Sequence, residues 1–221
     1  MTQIILIRHG ETVWNQQRRM QGHSDSPLSE TGVRQAQLLA RHLRQIAFGA
    51  LYSSDSGRAQ HTARSVAEVT GHDIILEPRL RERHFGVFEG LTGSEIAANH
   101  PADYARFKSR DQAHVIPGGE SALQFRARVL ACFEEIAGRH NGELVVVITH
   151  GLVLDVLYRA ALGIAPELPR IHELVNAGIN RLRYDGGTWH IEVWADASHL
   201  DSVIAAVRGV AGVFDVYRVT Q

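Results

Sequence analysis

The sequence predicts an α/β protein, a three-layer αβα sandwich whose mostly parallel central sheet carries an added hairpin and a small helical cap insertion. Three observations lead there. Two uninterrupted β-rich runs, Ile4-Ile5-Leu6-Ile7 and Leu144-Val145-Val146-Val147-Ile148, have the continuous apolar text of strands buried on both faces of a parallel sheet. Segments with helical spacing alternate with such runs, at residues 29–45, 56–70, 121–139 and 152–162. Near the end, residues 179–184 and 189–194 flank Asp185-Gly186-Gly187, the pattern of a β-hairpin.

Each element has a local justification. Ser29 precedes Glu30-Thr31-Gly32, Asp55-Ser56 precedes Arg58, and Glu120-Ser121 follows the breaker Pro117-Gly118-Gly119, so three of the helices begin at capping residues. Shorter strands are expected at residues 50–53 and 74–76. Residues 92–117 interrupt the strand rhythm with polar helical text at 95–99 and 102–108, which predicts a cap over the sheet edge. Without repeats, low-complexity tracts or a linker, residues 1–200 are expected to form one domain. The tail, residues 201–221, predicts a helix over 203–207 and an edge strand over 213–219.

Composition limits the function. The 221 residues are 44% hydrophobic and 21% charged, the range of an ordinary soluble globular protein rather than a disordered, collagenous or membrane-spanning chain. With 23 basic and 24 acidic side chains the formal charge is -1, so no global positive field draws nucleic acid or anionic membrane, and neither is an expected partner. Attraction for an anion must be local. Cys132 is the single cysteine, which excludes an intramolecular disulfide and a cysteine-rich metal site and predicts a small buried residue on a helix. A reducing compartment follows, and the start of the chain lacks a basic region and a long apolar run, so the expected location is cytoplasmic. An edge strand or the hairpin offers a place for a homodimer.

The chemistry sits where the buried strands end. Ile4 to Ile7 leads into Arg8-His9-Gly10, and Val145 to Ile148 into Thr149-His150-Gly151. Carboxyl ends of strands line the binding crevice of an open α/β sheet, so parallel neighbours would set His9 beside His150 there. The glycines after them would let backbone approach a ligand. A third strand end, Leu51-Tyr52-Ser53-Ser54, leads into a helix whose first turn holds Arg58, adding a guanidinium to an anion-attracting helix terminus. Arginines have no lone pair for a metal, and no clustered zinc-type spacing is present, so no metal is expected. Arg8 and Arg58 instead suit a dianion, while an imidazole held neutral by adjacent positive charge can attack phosphorus. Phosphoryl transfer also needs a proton donor for the leaving alkoxide. Glu82, read as following another strand end, is the candidate.

Those residues stand in strings that resemble the histidine phosphatase, or phosphoglycerate-mutase-like, superfamily: Leu6-Ile7-Arg8-His9-Gly10-Glu11-Thr12 with Asn15, the block from Arg19 to Ser29, and Tyr52 to Ala63. Residues 80–91, the turn Pro117-Gly118-Gly119-Glu120-Ser121 and Thr149-His150-Gly151 continue in family order, extending the likeness from residue 4 to about residue 200. The resemblance implies that His9 becomes a phosphohistidine and that Arg8, Arg58 and His150 bind the phosphoryl oxygens. It implies that Asn15, Gln21, Gly22 and Gly151 complete the pocket, and that Glu82 is the general acid, later the base that activates water. It implies no metal and no organic cofactor. Trp14, Phe85 and Phe88 are expected to wall the pocket or its entrance.

Phosphatase and mutase share such a pocket. The region after Glu82 is short, with Lys108 its only lysine and with Arg106 and Arg110 not adjacent, which favours a metal-independent phosphatase acting on a small phosphorylated metabolite. A cofactor-dependent phosphoglycerate mutase is the alternative. A non-catalytic phosphoanion-binding or interaction protein is the reading from another class.

Overall fold

The computed structural model describes residues 1–200, and the helix and edge strand expected in the tail lie outside the described residues. The described residues form six strands, β1 (Thr2–Arg8), β2 (Ala50–Ser53), β3 (Ile74–Leu76), β4 (Leu144–Thr149), β5 (Ile179–Asp185) and β6 (Thr188–Asp196). They form one sheet in the order β3-β2-β4-β1-β5-β6. The first four are parallel, and β5 and β6 are the antiparallel hairpin added beside β1. Among the described residues seven α-helices accompany them: α1 (Val13–Gln16), α2 (Glu30–Leu43), α3 (Gly57–Thr70), α4 (Gly93–Asn99), α5 (Pro101–Lys108), α6 (Ala122–Arg139) and α7 (Gly151–Leu162).

Strand alternation explains the unbroken apolar text. Ile4, Leu6, Val145 and Val147 face one layer, where Phe125, Val129, Phe133, Val153 and Leu157 of α6 and α7 cover them. Their neighbours Ile5, Ile7, Val146 and Ile148 face the other, under Leu39 and Leu43 of α2 and Ala59, Ala63 and Val66 of α3. Both faces are dry, so both positions of the two-residue period must be apolar. Each such side chain contributes roughly 1.5–3 kcal/mol on burial. Cys132 is buried in the first of these layers.

The helix starts fall at the expected residues with one difference of mechanism. Ser29 Oγ accepts from the Gly32 N–H at 3.0 Å, and Ser121 Oγ accepts from the Gln124 N–H at 3.1 Å in a capping box. Ser56 heads α3 but makes no side-chain cap bond; its hydroxyl turns toward His150 Nε2 at 3.2 Å. Helices α4 and α5 occupy the cap segment. With Phe85, Phe88, Ile96 and Ile116 buried, and Met20, Tyr104 and Phe107 packed against them, they close a third, separate apolar cluster. None of the described helices is long and apolar enough to cross a membrane.

Candidate active site

Register sets the two histidines side by side. Arg8 pairs with Thr149 at the ends of β1 and β4, so His9 and His150 emerge together, their ring centroids 5.2 Å apart. Ser53 of β2 pairs with Ile148, which brings the start of α3, and Arg58, to the same edge. Arg58 is 1% exposed and has the volume of a core residue, yet every donor direction is used. Its Nε donates to His9 Nε2 at 3.3 Å, and its Nη2 lies 3.2 Å from His150 Nδ1 and donates to the Gly22 carbonyl at 2.8 Å. Its Nη1 donates to the Ser24 carbonyl and to Asp25 Oδ1, each at 2.9 Å. Asp25 thus compensates a buried guanidinium, and the mild macrodipole penalty of a cation in a first helical turn is met by a carboxylate.

These contacts assign tautomers. His9 Nδ1 lies 2.8 Å from the Gly10 carbonyl, an acceptor only, so Nδ1 carries the proton and Nε2 carries the lone pair. His150 accepts at Nδ1 from Arg58 and therefore donates from Nε2 to Ser54 Oγ at 2.8 Å. Burial first, then the positive charge of Arg58, holds both imidazoles well below the ordinary histidine value of 6.5; Arg8 adds to this at each, and His9 adds to it at His150. Arg8 donates from Nη1 to the Leu174 carbonyl at 2.7 Å.

Glu82 reaches the cavity by a different path from the expected one. It does not follow a strand end: β3 finishes at Leu76, a 3₁₀ turn at Pro78–Leu80 intervenes, and Glu82 stands on the loop beyond. Its Oε1 accepts from the Arg83 N–H at 2.9 Å and its Oε2 from the Leu152 N–H at 3.0 Å. Part of its surface stays open to the cavity, but burial pushes its carboxyl pKa up against those two amides and against Arg58 and Arg8. The environment thus shifts the two groups apart, favouring the protonated form of the Glu82 carboxyl and the neutral form of the His9 imidazole.

Arg8, His9, Asn15, Gln21, Gly22, Arg58 and Glu82 line one cavity of about 750 Å³. His150 lies behind Arg58, fully buried, and touches the site through it. Gly151 does not line the cavity; it is buried at the head of α7, where a Cβ would stand 3.4 Å from Arg8 Nε. Gly10 likewise serves backbone packing, since a Cβ there would sit 2.6 Å from the Gly32 carbonyl oxygen of α2. Phe85 lines the cavity, whereas Phe88 is wholly buried in the cap cluster and Trp14 packs near Gly90 instead. Among the described residues no group of His, Cys, Asp and Glu is arranged to hold a metal ion.

Several supporting residues escaped the sequence reading. Glu89 accepts from the backbone N–H groups of His23, Ser24 and Phe85 and from the Ser24 hydroxyl, tying the loop of Gly22 to the loop of Glu82. Asn176 donates to the His9 carbonyl at 2.8 Å, and the Ala177 N–H donates to the Arg8 carbonyl at 2.8 Å. Such contacts are made across long stretches of chain and leave no periodic mark.

Comparison with known proteins gives the same placement. The model of the histidine phosphatase superfamily (branch 1) matches residues 4–197. A metal-independent phosphoserine phosphatase of Arabidopsis thaliana is 40% identical over 215 residues, covering 96% of this chain and 89% of the relative. A probable phosphoglycerate mutase GpmB of Photorhabdus laumondii is 35% identical over 207 residues, covering 91% of this chain and 96% of its own. The solved structure of Bacillus stearothermophilus YhfR is 36% identical and superposes with a TM-score of 0.83, over 90% of this chain and 100% of that one. Fold, strand-end histidines and relatives agree, and the chain belongs to branch 1 of the histidine phosphatase superfamily.

Proposed function

We propose that this protein is a metal-independent phosphatase that hydrolyses small phosphomonoesters in the cytoplasm through a phosphohistidine on His9. The observation that carries the reading is the His9 ring: its proton is committed to the Gly10 carbonyl, so the Nε2 lone pair faces Arg58 in a buried cationic cradle. When a phosphoryl group enters, the Arg58 and Arg8 N–H groups pass to its oxygens. His9 Nε2 then forms a bond to phosphorus as the ester P–O bond breaks, and the departing oxygen takes the Glu82 proton. In the second step water attacks the phosphohistidine, Glu82 accepts the water proton, and the N–P bond breaks to release inorganic phosphate and neutral His9.

The mutase reading needs an arginine pair that holds a second acidic group in a fixed orientation close to the cradle. Arg106 is not in the cavity wall and lies 3.8 Å from Asp111, so it does not join Arg110 as a pair. The name of the Arabidopsis relative also supports phosphate release rather than isomerisation. The test is a metal-free assay of the purified protein on a phosphomonoester panel that includes 3-phosphoglycerate, scored separately for inorganic phosphate and for 2-phosphoglycerate. Phosphate without isomer, lost in His9→Ala, is the expected outcome; isomer formation would establish the mutase, and binding without turnover the phosphoanion sensor.

A further inference from the structure

Away from the phosphoryl cradle, the same cavity is larger and more basic than a three-carbon phosphate ester requires. Its volume of about 750 Å³ lies within the roughly 300–1,000 Å³ of sites that enclose drug-sized ligands. Part of its wall is apolar, formed by Phe85, Phe107, Phe125, Leu152 and Val156. The same wall carries cations outside the cradle: Arg83 on the Glu82 loop, Lys108 at the end of α5, Arg110 just after it and Arg126 in the first turns of α6.

Arg83 feels the nearby carboxylates of Glu120 and Glu82, but none of the four cations forms an ion pair with a carboxylate among the described residues. Arg83 is buried and gives its N–H groups to carbonyls, those of Glu120 at 3.1 and 3.2 Å and His114 at 3.5 Å. Arg110 donates to the Leu168 carbonyl at 2.9 Å. The side chains of the exposed Lys108 and the half-buried Arg126 make neither hydrogen bond nor ion pair among the described residues. The acids of this wall are already engaged: Asp155 with Arg159 at 2.9 Å and with His172 at 3.1 Å, and Asp111 near Arg106. A half-buried guanidinium without a carboxylate lies on the side of a ligand cavity only at a cost in solvation, which an anionic ligand offsets.

We infer that the substrate is an extended phosphomonoester with an apolar, ring-bearing body and a second anionic group, carboxylate or phosphate, remote from the phosphoryl that is cleaved. The body lies on the phenylalanine belt and the distal anion on Arg126, with Lys108 behind it. This rests on the phosphatase reading, and it separates this chain's substrate from compact esters such as phosphoserine and 3-phosphoglycerate, whose second charge stays near the cradle.

The test compares para-substituted phenyl phosphates whose side chains end in a carboxylate, a phosphonate or the isosteric carboxamide, with p-nitrophenyl phosphate as the reference. The acid-ended esters should exceed the amide by roughly tenfold in kcat/KM, the scale of one charge-assisted hydrogen bond, and should also exceed phosphoserine. Whichever acid gains more identifies the distal group. Arg126→Ala should bring acid and amide to parity while p-nitrophenyl phosphate turnover stays within about twofold, and Lys108→Ala should act in the same direction more weakly. Equal rates for acid and amide in the unaltered protein, or equal losses for both in Arg126→Ala, would overturn the inference while leaving the phosphatase intact. A protein inert toward every ester including the reference would refute the phosphatase reading instead, and calorimetric affinities for the acid and amide would then decide, equality overturning the inference.

Discussion

Replacing Glu82 by glutamine removes the ionisable proton and leaves the side chain's shape, so its effect is calculable from its two contacts. Each carboxyl oxygen accepts one backbone N–H, from Arg83 and from Leu152. The amide can satisfy only one of them and turns its own NH₂ toward the other, leaving a donor unpaired at a cost of about 1–3 kcal/mol. That loss shows as a lower midpoint in urea unfolding, while the fold persists. The kinetic loss has a different signature. A general acid contributes roughly 10²–10⁴-fold, and it is needed most by a leaving group that is a poor anion. The proper readout is kcat/KM, which reports formation of the phosphoenzyme and is blind to the water step, where Glu82 acts as base for every substrate alike. Alkyl phosphates should therefore lose about 10²–10⁴-fold in kcat/KM, and p-nitrophenyl phosphate less than about tenfold. The variant should also release nitrophenolate in a burst followed by slow turnover. Equal fractional losses of kcat/KM on alkyl and aryl esters would refute Glu82 as the acid.

Three further outcomes follow from the same geometry. Glu82 works protonated and burial raises its pKa above the usual 4.5, so kcat/KM should fall as pH rises through that raised value; the acid limb, where His9 takes a proton, lies below 6.5. Glu82→Gln should abolish the alkaline limb of the profile and keep the acid one, and an unchanged alkaline limb would assign it to another group. His172→Ala should lower kcat/KM by up to about tenfold, because Asp155 fixes His172 at 3.1 Å and the following loop offers the Leu174 carbonyl to Arg8, a small shift in which is costly; a change in unfolding midpoint with no change in kinetics would contradict that. Phe88→Ala should destabilise the protein by about 3–5 kcal/mol in denaturant unfolding, since Phe88 is wholly buried between Phe107 and Tyr104; a loss below about 1 kcal/mol would show the cap cluster to be weakly coupled to the core.

What the sequence discloses and what it hides have physical reasons. The strands β1 and β4 are readable because burial on both faces forces unbroken apolar text, and their His-Gly endings stand out against it. Arg58 is readable because a helix start is a local signal. Glu82 was harder: it sits between Arg81 and Arg83, text that also fits a solvated charge cluster, and it enters the cavity from a loop after a 3₁₀ turn. Arg83 itself proves buried, its charge held by carbonyls that are distant in sequence. Trp14 and Phe88 lie close in sequence to pocket residues but not in the pocket, because their loops fold them toward Gly90 and the cap. Asp25, Ser54, Glu89, Leu174 and Asn176 act through hydrogen bonds made mostly to residues distant in sequence, and loop positions of this kind follow no period.

Rapid acid-free quenching during turnover, with peptide mapping of the phosphorylated protein, tests the phosphohistidine most directly. A phosphoryl group on His9 that forms at the rate of the burst, is labile in acid and stable in base, and is absent from His9→Ala is the predicted result. Full turnover without any phosphoenzyme, or a phosphoryl group that persists in His9→Ala, would contradict it.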